Sequence, residues 1–145
     1  MSKTRISTPL RREVIARAGS CCEYCLSDTR DRGIDFAIDH VIAEKHGGTT
    51  TADNLALSCY WCNSFKGSDL SSVDWESDGA IVPLFNPRQQ RWDDHFRLDG
   101  LRIIPQTSHG RVTVALLQLN QPQRIRERRM LMELGVYPCR KETAS

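Results

Sequence analysis

Long apolar runs are absent from this 145-residue chain. No stretch approaches the roughly 18–20 apolar residues that a membrane-spanning helix needs, so no membrane partner is expected. The opening segment, Met1 to Thr8, is polar and basic rather than an apolar secretory leader. That predicts a cytoplasmic location, where a reducing environment disfavours disulfides. Aromatic residues make up only 7% of the chain, and the formal net charge is +2, which by itself is no nucleic-acid signature. Internal repeats and low-complexity tracts are also missing, so a stacked-repeat architecture is excluded. What remains is a length suited to one domain, residues 1–145, with 39% hydrophobic residues to form a modest core. A core divided among short elements benefits from a metal staple.

The cysteines supply one. Two Cys-x-x-Cys pairs, Cys22/Cys25 and Cys59/Cys62, match the ligand set of a closed tetrahedral zinc site. The two-residue gap lets a tight turn aim both thiolates at one ion. Residues 26–58 separate the pairs, a longer insert than the ~15–20 residues of an ordinary double-knuckle ribbon, so the insert forms a substructure of its own. A redox Cys-x-x-Cys does not account for a duplicated pair. Cys21 can replace Cys22 in an x3 pair, although Cys22 keeps the symmetric spacing. Cys139 is an odd thiol near the tail, read as structural or exposed rather than as a ligand.

Local signals place these motifs on elements. Thr8-Pro9 reads as a capping hydroxyl followed by an early-turn proline; Leu10, Val14 and Ala18 keep helical spacing, and Gly19 is a stop. A polar turn over 27–33 leads to Ile34–Ile42, which alternates like a strand or hairpin. Gly47-Gly48 and the threonines after it read as loop. Leu55–Cys59 returns to apolar residues, and a short helix is expected around Asn63 to Leu70. Residues 68–79 are polar and acidic, and the prolines from Val82 onward favour extended chain. Asp99-Gly100 signals a hairpin turn. Ser108 is a candidate cap for a helix with Val112, Ala115, Leu116 and Leu119 inward, and Asn120 and Pro122 open a last helix ending at Gly135. These two helices resemble a helix-turn-helix only in order. Basic residues cluster twice: Lys3, Arg5, Arg11, Arg12 and Arg17 at the start, and Arg124, Arg126, Arg128 and Arg129 in the last helix. Each cluster reads as a solvated face that also suits nucleic acid.

The residues between the cysteine pairs carry chemistry. Cleaving a phosphodiester requires an activated water and neutralisation of charge on phosphate and leaving oxygen. Histidine is the side chain whose ordinary pKa lies near neutrality, so His40 is the natural general base. Asp39, its neighbour on a strand, points to the opposite face, yet its carboxylate can reach a hard cation where the strand ends. Asn63 offers a neutral oxygen to the same ion, and Mg²⁺ keeps waters in its other positions. Asn54 can hold the loop after His40 through backbone hydrogen bonds. Lys66 can meet phosphate.

Taken as a set, Cys22-Glu23-Tyr24-Cys25, Ile38-Asp39-His40-Val41-Ile42, Gly47-Gly48, Asp53-Asn54-Leu55 and Cys59-Tyr60-Trp61-Cys62-Asn63 with Lys66-Gly67 resemble an HNH homing-endonuclease-type nuclease domain. The resemblance implies an α+β fold: a ββα-metal (His-Me) finger pinned by a four-cysteine zinc knuckle. To that core, residues 20–70, are added a flanking N-terminal helix and a C-terminal extension of hairpin and helices, residues 80–137. It further implies one Mg²⁺ or Mn²⁺ held by Asp39 and Asn63, His40 as base, Asn54 as orienting residue, Lys66 on the nucleic acid, and DNA cut to 5′-phosphate and 3′-hydroxyl ends. The family's third signature residue is usually histidine. Asn63 stands there, an amide oxygen that suits Mg²⁺ better than a soft ion. More loosely, Leu84-Phe85-Asn86-Pro87-Arg88 with Trp92, His95 and Phe96 resembles the tail of a stand-alone bacterial subfamily frequent in cyanobacteria.

The remaining candidates read as structural. His46 beside the glycine pair is solvent-exposed, His95 is packed among Trp92 and Phe96, and His109 belongs to a turn or cap. Trp61 and Trp75 read as core or knuckle cover rather than base-stacking surfaces. The competing classes are a catalytically inactive zinc-stabilised nucleic-acid-binding module and a zinc-knuckle protein-interaction domain. His40 beside a carboxylate favours the enzyme over both. Oligomeric state is left open, with a homodimer among the options.

Overall fold

The computed structural model describes residues 4–30 and 36–140. Helix α1, Thr8–Ala18, carries Pro9 in its first turn and ends on Gly19 at φ 64°. Its cap is Ser7, whose Oγ accepts from the Leu10 amide at 3.3 Å, and not Thr8, which already lies inside the first turn. Strand β1, Phe36–His40, pairs antiparallel with β2, Leu55–Cys59, setting Phe36 opposite Cys59 and His40 opposite Leu55. Ile34 and Asp35, expected at the start of this strand, lie outside the described residues, as does Lys3 of the first basic cluster.

Helix α2, Tyr60–Lys66, follows β2 without a gap. It starts three residues before Asn63 because the Cys59 sulfur accepts from the Cys62 amide at 3.5 Å and caps the helix. Gly67 at φ 51° ends it short of Leu70. β1, β2 and α2 together form a ββα unit.

The polar stretch after α2 contains a hairpin that its composition conceals. Strand β3, Ser71–Asp74, pairs with β4, Ala80–Pro83. Both strands are largely exposed, so neither carries the apolar alternation by which strands are recognised. Trp75 lies between them and is 82% exposed, so it covers neither core nor knuckle. A short helix α3, Trp92–His95, leads into the expected hairpin of β5, Phe96–Asp99, and β6, Arg102–Pro105, turning at Gly100 with φ 59°. Helix α4, Ser108–Leu116, is capped by Thr107 rather than Ser108, the Gly110 amide donating to Thr107 Oγ1 at 3.1 Å. Helix α5, Pro122–Glu133, precedes Gly135 at φ 76°. The architecture is α+β: small antiparallel pairs joined to helices around a four-cysteine cluster, consistent with a ββα-metal finger. Among the described residues, no helix is long and apolar enough to cross a membrane.

Packing follows the period of β2, which is buried on both faces. Leu55 and Leu57 face Val14 and Ala18 of α1. Ala56 faces the other way, into a core holding the four paired cysteines, Tyr24, Phe85, Phe96, Ile103, Leu117 and Leu119. Residues after Leu84 therefore share one apolar core with the cysteine-bearing segment.

The tail is also tied covalently. Cys21 and Cys139 form a disulfide, which corrects the expectation of free thiols: burial holds both at the junction of α1 and the tail, where the Cys139 amide donates to Leu26 O at 2.8 Å. Cys21 is thereby removed from competition with Cys22 for a metal. A disulfide is typically worth about 2–4 kcal/mol. Cys139→Ser should lower the unfolding free energy from urea titration by that amount under non-reducing conditions; an unchanged unfolding free energy would show that the pair contributes no cross-link.

Candidate metal centre and active site

The four paired cysteines are buried, and their sulfurs all lie within 4.8 Å of one another. Cys22 and Cys25 come from the turn after α1, Cys59 from the end of β2 and Cys62 from the first turn of α2. With Zn–S bonds of about 2.3 Å, the edge of a tetrahedron is about 3.8 Å. The Cys25–Cys59 sulfur separation is 3.7 Å. The donor set and the spacing therefore fit a structural zinc. Burial pushes the Cys22 and Cys62 thiols up, while hydrogen bonds from Cys22, Cys59 and Cys62 pull Cys25 well down. Metal binding must displace the protons that this arrangement retains, so it is coupled to pH and to folding.

Two of the arginines expected on a basic surface are part of this centre's surroundings instead. Arg124 is 2% exposed and donates from Nη2 to Cys62 Sγ at 3.0 Å and from Nη1 to Leu117 O at 2.6 Å. Arg128, also buried, donates to Leu101 O at 2.7 Å and to Asn120 Oδ1 at 3.1 Å. Helical period 3.6 explains the split, since positions 124 and 128 share the buried face while Arg126 and Arg129 point outward. Arg17 is likewise committed, bonding Ala52 O and Leu55 O at 2.7 and 2.6 Å. Arg5, Arg11 and Arg12 are exposed.

A cleft of ≈ 570 Å³ is lined by Asp39, His40, Glu44, Asn63 and Ser68 among others. Among the described residues β1 pairs only with β2, and Asp39 and His40, adjacent on β1, both line the cleft. His40 and Asp39 alternate in facing: His40 shares a side with Leu55, and Asp39 with Ala56. His40 Nε2 lies 3.0 Å from Thr50 Oγ1 and 3.9 Å from Glu44 Oε1.

Asp39 is 4% exposed. Its Oδ2 accepts from Tyr24 Oη at 2.7 Å, and Lys66 Nζ lies 3.1 Å from Oδ2 and 3.2 Å from Oδ1. Lys66 also donates to His40 O at 3.1 Å and is only 2% exposed. Burial raises the Asp39 carboxyl above its ordinary value, and Lys66 opposes that rise. A carboxylate has about four lone-pair sites, so Asp39 retains acceptor capacity beyond these bonds. The Asn63 amide forms no hydrogen bond among the described residues. Carboxylate and amide oxygens fit a hard divalent ion better than a soft one.

Asn54 sits behind the catalytic candidates. Its Oδ1 accepts from Ile42 N at 3.0 Å, and its Nδ2 donates to Ile42 O at 2.9 Å and Thr49 O at 2.8 Å. Together with Val41 N donating to Asn54 O at 2.9 Å, these bonds clip the loop after His40 to the start of β2. Gly48 is needed within that clip, because a Cβ there would stand 1.7 Å from Ile42 O. His46 is exposed and lies 3.2 Å from Ser68 O. His95 contacts Thr107 Oγ1 at 2.6 Å and packs near Phe85, and His109 contacts Pro83 O at 2.9 Å. Trp61 covers the knuckle, stacked near Phe65 with Nε1 3.3 Å from Glu127.

Tyr24, Glu44 and Thr50 were not legible as site residues. Glu44 follows His40 by four positions, a usable signal only if that stretch were helical. Nothing in the sequence links Tyr24 to Asp39, since that contact depends on how the first knuckle closes.

Residues 22–69, about a third of the chain, match the family model described as HNH endonuclease. This segment contains β1, β2, α2, all four clustered cysteines and the cleft residues, so the likeness falls on the candidate site, and HNH segments point to nuclease activity in general. No curated protein and no solved structure matches the chain.

Two substitutions separate the centre from the loop. Cys59→Ser removes a zinc ligand while leaving a hydroxyl able to cap α2, so zinc content should fall and the domain should lose its cooperative unfolding transition; retention of both would overturn the four-sulfur assignment. Gly48→Ala should keep its zinc while losing about 1–3 kcal/mol in urea unfolding, because the new methyl meets backbone.

Proposed function

We propose that the protein is a metal-dependent DNA endonuclease that hydrolyses phosphodiester bonds with His40 as general base. The observation that supports this most directly is one cleft, inside the HNH-matched segment, lined by His40, Asp39 and Asn63. Asp39 and Asn63 would hold a single Mg²⁺ or Mn²⁺, which supplies charge stabilisation at the phosphate and the departing 3′ oxygen. His40 accepts the proton of the attacking water, and Thr50 and Glu44 beside Nε2 fix the plane of its ring. Asn54 holds the His40 loop at a constant distance from β2. Tyr24 orients the Asp39 carboxylate. Lys66 balances the charge of Asp39 in the resting protein, and it would meet a bound phosphate only by leaving that buried pair. The products are a 5′-phosphate and a 3′-hydroxyl. In this reading residues 20–70 are the nuclease core and residues 80–137 brace it.

The Lys66–Asp39 pair also favours a second reading, in which an internal cation has replaced the divalent ion and the chain is a zinc-stabilised nucleic-acid-binding module without cleavage. Relaxation of supercoiled plasmid separates the two. Wild type with Mg²⁺ should nick, EDTA should stop it, and His40→Ala should lose about 10²–10⁴ in rate while remaining folded and zinc-loaded. Salt-sensitive DNA binding without Mg²⁺-dependent cleavage would establish the binding module instead.

A further inference from the structure

The four-cysteine cluster carries a residue that its ligand pattern does not include. A zinc bound by four thiolates has a net charge of about −2, and this site lies in the apolar core among Tyr24, Phe85 and Phe96. Burying such a charge is costly unless a counter-charge and hydrogen bonds accompany it. Among the described residues, Arg124 is the cation in contact with these sulfurs, at 3.0 Å from Cys62 Sγ and 3.7 Å from Cys59 Sγ. Its other terminal nitrogen is fixed on Leu117 O, at the end of α4. The planar fork thus spans the metal centre and the α4–α5 junction, which a lysine's single ammonium cannot do.

We infer that Arg124 is the positioning residue of the zinc centre, and that it makes metal loading and docking of α5 a single event. The guanidinium joins Cys62 of α2 to the end of α4, so gathering the four sulfurs on one ion would also seat α5 against α2. Two neighbouring bonds run the same way across this boundary: Tyr137 Oη donates to Cys25 O at 3.0 Å, and Trp92 Nε1 donates to Tyr24 O at 2.9 Å. The last helix is therefore read by the metal centre from its ligand side, and the extension after residue 80 depends on zinc although it contributes no ligand.

The test compares zinc release from purified wild type, Arg124→Gln, Arg124→Lys and the exposed control Arg126→Gln, using a chromophoric chelator. Loss of an outer partner of a metal ligand typically costs 10–100-fold in affinity. Arg124→Gln should release zinc about 10–100-fold faster, Arg124→Lys should fall between it and wild type, and Arg126→Gln should match wild type. With Co²⁺ in place of zinc, the thiolate-to-cobalt charge-transfer band should move to longer wavelength in Arg124→Gln, because sulfurs without a cationic donor are easier to oxidise; a merely structural role would leave it in place. A wild-type release rate or an unshifted band in folded Arg124→Gln overturns the inference. Should neither variant fold, hydrogen exchange on the unmodified protein decides: protection across residues 122–133 should vanish with zinc, and protection that survives its removal overturns the inference.

Discussion

Convergence of four sulfurs on one point is the constraint from which the rest of the structure follows. The cysteines come from the turn after α1, the end of β2 and the first turn of α2. Bringing them together fixes where the β1–β2 hairpin begins and at what angle α2 leaves it. Because Cys59 is both ligand and cap, the metal centre and the start of α2 cannot vary independently. Asn63 lies one residue beyond the last ligand, so its place in the cleft is inherited from the zinc geometry. His40 enters from the opposite side through strand pairing with Leu55. A structural site with no role in the chemistry therefore aligns the two walls of the cleft.

Electrostatics then divide the arginines and lysines of a chain that is nearly neutral overall. Arg17, Lys66, Arg124 and Arg128 are turned inward, onto carbonyls, a carboxylate and thiols. Each satisfies acceptors that would otherwise be buried without partners, which costs more than a solvated surface charge returns. Arg5, Arg11, Arg12, Lys45, Arg91, Arg97, Arg102, Arg126 and Arg129 stay outside, among the basic groups left to meet a polyanion, and Lys45 lines the cleft itself. The interior uses of positive charge are architectural.

Local chemistry made much of this legible in the sequence. The cysteine spacing, the apolar run of β2, Gly19, and the turn at Gly100 each carry their own signal, and the corresponding elements occupy the expected places. Signals failed where tertiary contact decides. The β3–β4 hairpin has no apolar face to announce it. Ser7 rather than Thr8, and Thr107 rather than Ser108, cap their helices, because a hydroxyl one residue away is chemically identical and only the helix start distinguishes them. Arg124 and Arg128 look like surface charge in a run of four arginines, and their burial depends in part on distant acceptors, Cys62 Sγ 62 positions away and Leu101 O 27 positions away. The Asp39–Tyr24 contact was likewise invisible, being made by a knuckle residue that has no pattern of its own.

The bond between Cys21 and Cys139 changes the chain's topology as well as its packing. Residues 21–139 become a closed covalent ring. Cutting any single peptide bond in that ring, including one in the loop after His40, opens the circle without separating the pieces. Cys21 is also the neighbour of the zinc ligand Cys22, so an oxidised sulfur and a metal-bound one are consecutive in the chain. A reductant and a chelator would thus act on adjacent residues yet release different things: the first frees the ends of the ring, the second its centre.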